Sequence, residues 1–260
     1  MASKVIVITG ASSGIGAALA PVLVQRGHRV VLAARRHEEL DAVAAPLGDR
    51  AMAIVTDVTK RADNERLRDG ALARFGQIDT WIANAGRGIT KLPSQLTDDE
   101  IDEMILVNVK SVLYGFQSVL PHMKERKSGH LIAVSSMLGK LAMAPFRSIY
   151  SASKAAVNSL VASLRGELRA EFPGIMASSF MPGVVATPFG SNALHGGVDS
   201  RVIPNAQPVE EVAVAIADLV ATPRPEAYSR AGMLQMAAQY YAAEDLTDVE
   251  SKPPFAVPQR

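Results

Sequence analysis

Residues 5–16 read VIVITGASSGIG, and the reading of this stretch decides the fold. Val5, Ile6, Val7 and Ile8 are β-branched and apolar without polar alternation, the pattern of a strand covered on both faces. The run passes directly into Thr9 and Gly10, with Gly14 and Gly16 close behind, and an apolar, Ala-rich segment to about residue 26 reads as a helix. Glycine permits a tight turn and a close approach of backbone to phosphate. The helix N-terminus adds free N–H donors and a partial positive charge. The spacing is GxxxGxG rather than GxGxxG, so the turn alone also fits a plain strand–helix connection.

Outward from this stretch the same unit recurs. Apolar runs stand at 30–32, 52–55, 81–83, 131–134 and 175–180, with amphipathic, Ala-rich segments between them. Alternating strands and helices predict an α/β fold, a single Rossmann-like doubly wound parallel sheet with helices on both faces. The run at 175–180 is the least regular, because Ser178 and Ser179 interrupt it. The longer interval after residue 83 holds two helical patterns, 98–107 and 111–127. Thr97 with Glu100 forms a capping box for the first. Asp98, Asp99 and Glu100 are read as charges that favour a helix N-terminus, not as an acid/base pair. Turn formers and mixed polarity at 187–204 suggest a flap over the substrate, and 208–222 reads as an amphipathic helix. No Pro/Gly/Ser linker divides the chain, so residues 1–243 are expected to form one domain. The polar stretch 244–260 is expected to be an extended or disordered arm.

Composition narrows the functional classes. The net charge is +1 with no block of like charge, which argues against a nucleic-acid footprint. The chain has no cysteine, so disulfides, thiolate chemistry and Cys-ligated metals are excluded. His28, His37, His122, His130 and His195 are scattered without ligand spacing, so no metal is expected. The N-terminus is too short in apolar residues for a signal h-region, and no run approaches a membrane span. A soluble, cytoplasmic protein is the expectation.

The chemistry concentrates between Ser136 and Lys154. Tyr150 and Lys154 are four apart, which on a helix stacks a phenol and an ammonium on one face. A nearby cation lowers a phenol pKa toward the working range of a general acid/base. Ser136 is placed to bind the oxygen of a carbonyl or alcohol. At the end of the second strand stands Leu32-Ala33-Ala34-Arg35-Arg36, where an NAD site would carry an acid for the ribose 2′-hydroxyl. Two arginines suit a 2′-phosphate instead, so NADP(H) is expected, with Arg35 favoured over Arg36.

Thr9–Gly16, Asn84-Ala85-Gly86, Asn108, Ser136, Tyr150-Ser-Ala-Ser-Lys154 and Pro182-Gly183 occur in this order. Together they resemble the short-chain dehydrogenase/reductase family over residues 4–230. The resemblance implies that Gly10, Gly14, Ile15 and Gly16 line the cofactor pyrophosphate, with Ser12 and Ser13 near the phosphates and adenosine ribose. It implies that Asp57 and Val58 hold the adenine, that Asn84, Ala85 and Gly86 pack along the cofactor, and that Pro182, Gly183, Val185 and Thr187 belong to the segment at the nicotinamide carboxamide. By the same resemblance Tyr150 exchanges the proton and Lys154 holds the nicotinamide ribose. Asn108 supplies a backbone carbonyl to a water connected to the lysine. Ala83 stands where the family often has a further Asn. Ser136 and Tyr150 are fourteen apart, one more than in many members, which keeps Ser135 as an alternative to Ser136. The implied reaction is hydride transfer between NADP(H) and a carbonyl or alcohol carbon of a small molecule. An NADP-dependent epimerase and a non-catalytic NADP(H) sensor are the alternatives. Met137, Leu138, Met143, Phe146, Phe189, Leu194 and Val198 are candidate substrate contacts, which favours an apolar substrate. Arg87, Arg147 and Arg201 could meet a carboxylate, but solvation is the favoured reading of each. The family also implies a homodimer or homotetramer through the helices at 111–127 and 150–170.

Overall fold

The structure is a computed structural model, and it describes residues 3–252. In chain order its elements are β1 (Val5–Thr9), α1 (Gly14–Gln25), β2 (Arg29–Ala34), α2 (His37–Ala44), β3 (Ala51–Val55), α3 (Arg61–Phe75), β4 (Thr80–Ala83), α4 (Asp98–Ile105), α5 (Ser111–Arg126), β5 (Gly129–Val134), α6 (Ser148–Glu171), β6 (Ile175–Met181), α7 (Val209–Ala221), β7 (Glu226–Tyr228), α8 (Met233–Tyr241) and α9 (Leu246–Glu250). The strands form one sheet in the order β3-β2-β1-β4-β5-β6-β7, and every pairing is parallel. Successive strand side chains point to opposite faces. Ile6, Ile8, Val30 and Leu32 therefore join the core under α1 and α7, while Val5, Val7, Val31 and Ala33 join the core under α3, α5 and α6. That division explains the unbroken apolar runs of β1, β2, β4 and β5, which are buried on both faces.

Two expected elements differ in form. The helical patterns at 98–107 and 111–127 are one continuous helix, because Leu106–Lys110 adopts a π-helical turn between α4 and α5. The wider turn absorbs the change of phase between the two patterns and places Asn108 and Val109 inside. The joined helix, Asp98–Arg126, is long and apolar enough to cross a membrane by composition alone, but half of its apolar window is buried in this fold. It packs on α3, β4, β5 and α6. The arm expected to be extended from residue 244 contains α9, capped by Asp245, whose carboxylate accepts from Thr247 N at 2.8 Å. Residues 253–260 of that arm lie outside the described residues.

The serines that interrupt β6 have a structural use. Ser178 is fully buried, and its hydroxyl donates to the Arg224 carbonyl at 2.6 Å. With its one proton so used, it accepts from His130 Nε2 at 2.8 Å. His130 Nδ1 then faces the interior with no partner among the described residues. Protonating it would bury an uncompensated charge, and burial holds the His130 pKa down at about 3. The unfolded chain binds this proton below about pH 6.5 and the folded chain does not. Stability is therefore present above that pH and lost as the pH falls toward 3. Between pH 7 and pH 4 His130 should cost wild type about 3 kcal/mol that His130→Gln does not lose. Urea unfolding at both pH values checks this, and equal losses in the two proteins would refute it.

Candidate functional site

The strand order reverses between β1 and β4, so the chain leaves these two neighbours in opposite directions and opens a crevice at their C-terminal ends. Thr9 and Asn84 fasten the two loops together. Thr9 Oγ1 accepts from the backbone N–H groups of Asn84 and Ala85, each at 3.1 Å. Asn84 Nδ2 donates to the Thr9 carbonyl at 2.9 Å and the Gly10 carbonyl at 3.2 Å. A Cβ on Gly10 would meet Ala85 Cα at 2.8 Å, and one on Gly16 would meet the Gly10 carbonyl at 2.5 Å, so side chains are excluded at both positions. Ser13 precedes α1 without a side-chain cap, and no acid stands in the first turn. The open N–H groups of that turn, with Gly14, Ile15 and Gly16 in it, suit a pyrophosphate. Thr187 lies against Gly14, its Cγ2 3.5 Å from the position of a Cβ there. Val185 bridges to Gln207, and Gly183 N donates to Ser229 Oγ at 3.3 Å, so the segment after β6 is held beside the Gly-rich loop. Pro182 closes the other side, its carbonyl accepting from Met137 N at 2.9 Å.

The two arginines after β2 are not equivalent. Arg36 Nη2 donates to Ser12 Oγ and Ser13 Oγ, each at 3.0 Å, and Nη1 donates to Glu39 at 3.0 Å. Arg35 is exposed. The guanidinium seated on the Gly-rich loop is thus Arg36, not the favoured Arg35. Asp57 and Val58 follow β3 at the same edge. Asp57 Oδ1 accepts from Thr59 N at 3.1 Å and Thr59 Oγ1 at 2.7 Å, and the Val58 carbonyl accepts from Asn64 at 3.0 Å.

Ser136, Tyr150 and Lys154 meet on the β4 and β5 side of the crevice. Ser136 begins the turn after β5, its Oγ accepting from Leu138 N at 3.1 Å, and its side chain lies near enough to the Tyr150 phenol to favour the phenolate. Ser135 is directed elsewhere and donates to the Lys154 carbonyl at 3.2 Å, which leaves Ser136 as the serine at the phenol. Lys154 Nζ donates to the Val134 carbonyl at 2.8 Å and lies 5.8 Å from the centroid of the Tyr150 ring. Burial draws its pKa down to about 8. The phenol departs from expectation: its pKa is raised, because burial disfavours the phenolate more than the Ser136 side chain and the Arg147 charge favour it. Asn108, fully buried in the π turn, donates to the Arg87 carbonyl and Ser153 Oγ, each at 3.0 Å, and accepts from Arg87 N at 2.8 Å. It joins the loop carrying Gly86 to α6, and a Cβ on Gly86 would lie 3.2 Å from Asn108 Oδ1 and 3.4 Å from Lys154 Nζ. Thr9 and Ser153 stand within the quoted motifs, but the sequence assigns them no role. Their only signal is position, one at a strand end before glycine and one beside a catalytic candidate.

The expected substrate contacts divide into groups. Leu138, Phe189 and Leu194 gather with Ile89 and Met104 around Tyr150, and the Phe189 and Tyr150 rings stand 5.5 Å apart. Met137 and Met143 instead pack with Met181 and Ala237 beneath α8, so they support the wall rather than line this cluster. Phe146 and Val198 are exposed. The flap is tied down at Leu194, which bridges to Ile89, and at His195, whose Nε2 meets Glu100 Oε1 at 2.5 Å. Glu100 also accepts from Lys91 Nζ at 2.8 Å and closes the capping box with Thr97, which holds its pKa down at about 2.

Residues 4–196 match the family of short chain dehydrogenases. An uncharacterized oxidoreductase of Listeria innocua is 42% identical over 188 residues, covering 71% of this chain and 75% of the relative. An alcohol dehydrogenase from the archaeon Thermococcus sibiricus, complexed with 5-hydroxy-NADP, superimposes with a TM-score of 0.76 at 29% identity, covering 87% of this chain and 96% of that one. A short-chain dehydrogenase/reductase from Burkholderia phymatum, in complex with NAD, gives a TM-score of 0.82 at 26% identity, covering 99% and 98%. With the parallel sheet and its crevice between β1 and β4, these matches establish the chain as a member of the short-chain dehydrogenase/reductase family of oxidoreductases.

Proposed function

We propose that the protein catalyses NADP(H)-dependent hydride transfer to or from the carbonyl or alcohol carbon of a small molecule, with Tyr150 as general acid/base. The observation that carries this reading is the meeting of Ser136, Tyr150 and Lys154 beside a glycine cradle with an arginine on it. Gly10, Ser12, Ser13, Gly14, Ile15 and Gly16 would hold the pyrophosphate, Arg36 and Arg35 the 2′-phosphate, and Asp57 and Val58 the adenine. Asn84, Ala85, Gly86, Pro182, Gly183, Val185 and Thr187 would flank the rest. The bound cofactor supplies or accepts the hydride. In reduction the Tyr150 phenol gives its proton to the substrate oxygen, while Ser136 donates a hydrogen bond to that oxygen as charge develops on it. Lys154 would bind the nicotinamide ribose. Asn108 holds the loop of Gly86 against α6, which keeps the wall of the site in register. A cytoplasmic location accords with the absence of cysteine.

A panel of aldehydes and ketones with NADPH, followed by loss of the reduced-nicotinamide absorbance, tests the reading. Isomerisation without net cofactor consumption would indicate an epimerase. NADPH binding without any conversion would indicate a sensor.

The same reading includes a homodimer or homotetramer. Val112, Leu113, Phe116, Val157, Leu160 and Leu164 line a shallow apolar recess between α5 and α6. Leu160 is 38% exposed, whereas Ala156 packs partly against the chain's own core. A two-fold contact across these helices would cover the recess. Leu160→Arg should dissociate the assembly, read by light scattering. A wild-type monomer at micromolar concentration would refute it.

A further inference from the structure

We propose that Arg147 is the anchor for an anionic group, a carboxylate, carried by the carbonyl substrate. The inference rests on the reductase reading and adds the chemical class of its substrate. It replaces the expectation of a wholly apolar one.

Several cations on the loop after β4 and on the flap are neutralised by carboxylates. Arg87 pairs with Glu103, Lys91 with Glu100 and Arg201 with Asp199. Arg147 is half-buried, and among the described residues it has no carboxylate partner. Among the described residues, the titratable group coupled to it is the Tyr150 phenol, which is neutral until it ionises at alkaline pH. A buried guanidinium without a counter-ion is costly to keep. One of its N–H groups, on Nη1, donates to the Ile89 carbonyl at 3.2 Å, and the guanidinium faces the Phe146 ring at 5.5 Å. A guanidinium carries five donors in a planar fork that matches a carboxylate.

Its position connects it to the reaction. Arg147 immediately precedes α6 and stands three residues before Tyr150. Nη1 lies against Gly88 on the loop after β4, 3.2 Å from the position of a Cβ there, and Nη2 lies 3.3 Å from such a position on Gly197 in the flap. The fork therefore sits at the seam between that loop and the flap, beside the cluster of Leu138, Phe189 and Leu194 that surrounds Tyr150. A substrate with an apolar body, a carbonyl at Tyr150 and a carboxylate at Arg147 would use each feature. The competing role for Arg147 is purely electrostatic, as a charge that lowers the Tyr150 pKa. The two roles separate experimentally. An anchor discriminates between substrates, whereas a tuning charge acts on all of them alike.

The test uses the full chain with NADPH and three keto acids, acetoacetate, 4-oxopentanoate and 5-oxohexanoate, each compared with its methyl ester. At least one acid should exceed its ester in kcat/KM by roughly 10- to 100-fold, the range of a charge-assisted bidentate contact. In Arg147→Gln that ratio should collapse toward one, mainly through the KM of the acid, while Arg147→Lys keeps part of it. Ester preference in all three pairs, or an unchanged ratio in Arg147→Gln, overturns the proposal. An unchanged ratio with a shift of the kcat pH profile common to acid and ester assigns Arg147 to tuning and overturns it equally. If neither acids nor esters consume NADPH, the wider panel of aldehydes and ketones decides the reductase reading on its own. The anchor is then read by calorimetric binding of the same acids and esters to wild type and Arg147→Gln. Acids that bind wild type no more tightly than their esters, or equally well to the variant, overturn it. Unchanged circular dichroism and NADPH affinity establish that the variants are folded.

Discussion

Tyr150→Phe is expected to lower turnover by roughly a hundred- to ten-thousand-fold while NADPH binding survives, the range for loss of one acid/base group. The substitution is clean in packing terms. The ring is 7% exposed, sits among Ile89, Met104 and Leu138, and meets Phe189 at 5.5 Å, contacts that a phenyl ring keeps. Ser136 Oγ retains Leu138 N as a donor, so removing the phenol strands no buried hydroxyl. What is lost is the proton. The direction of the phenol pKa adds a second expectation. Raised by burial, it leaves the group protonated at neutral pH, ready for reduction, and the deprotonated form needed for oxidation grows as the pH rises. Oxidation should therefore climb toward alkaline pH while reduction is fully supported near neutrality. Near wild-type turnover in Tyr150→Phe would remove Tyr150 from the reaction.

The parts of this molecule legible in sequence are those where one local rule acts alone. A strand covered on both faces must be apolar throughout, so β1, β2, β4 and β5 announce themselves. β7 does not, because only Ala227 of Glu226–Tyr228 is buried and an edge strand of three residues carries no periodicity. The π turn at Leu106–Lys110 is invisible because nothing in LVNVK differs from ordinary helix; its cause is tertiary, the bonds of Asn108 to Arg87 and Ser153. The same limit governs the site. Spacing brought Tyr150 and Lys154 to one face, and chain order identified Ser136. Yet the charge that acts on the phenol is that of Arg147, since Lys154 is turned to the Val134 carbonyl. Three arginines near the site looked alike in sequence. Partners distant in the chain, Glu103 for Arg87 and the carbonyl of Ile89 for Arg147, made them different. Glu100 was correctly read as a helix cap, but its second bond, to His195 of the flap, spans ninety-five positions and leaves no local trace.

The arginines after β2 give the second large effect. Arg36→Asp should weaken NADPH binding by roughly 10²-fold, and the Arg35→Asp/Arg36→Asp double variant by more, while NADH binding is retained or improved. Each charge-assisted contact to a phosphate contributes about 1.5–3 kcal/mol, which is one to two decades in affinity. Reversing the charge adds repulsion of the 2′-phosphate and offers the ribose 2′-hydroxyl of NADH an acceptor. Of the two, Arg36 should have the larger single effect. Both arginines are exposed, but the guanidinium of Arg36 already rests on Ser12 and Ser13. Arg36 also gives up a neighbour cheaply. Its pair with Glu39 joins two side chains about half exposed, at 50% and 49%, and such pairs add little to stability. The variants should therefore fold as wild type does, so that changes in affinity report on the cofactor alone. Fluorescence titration with NADPH and NADH, for wild type and each single variant, measures the ratio directly. A larger loss in Arg35→Asp than in Arg36→Asp would return the phosphate to Arg35. A wild type that already prefers NADH would overturn the assignment of both arginines and, with it, NADP(H) as the cofactor.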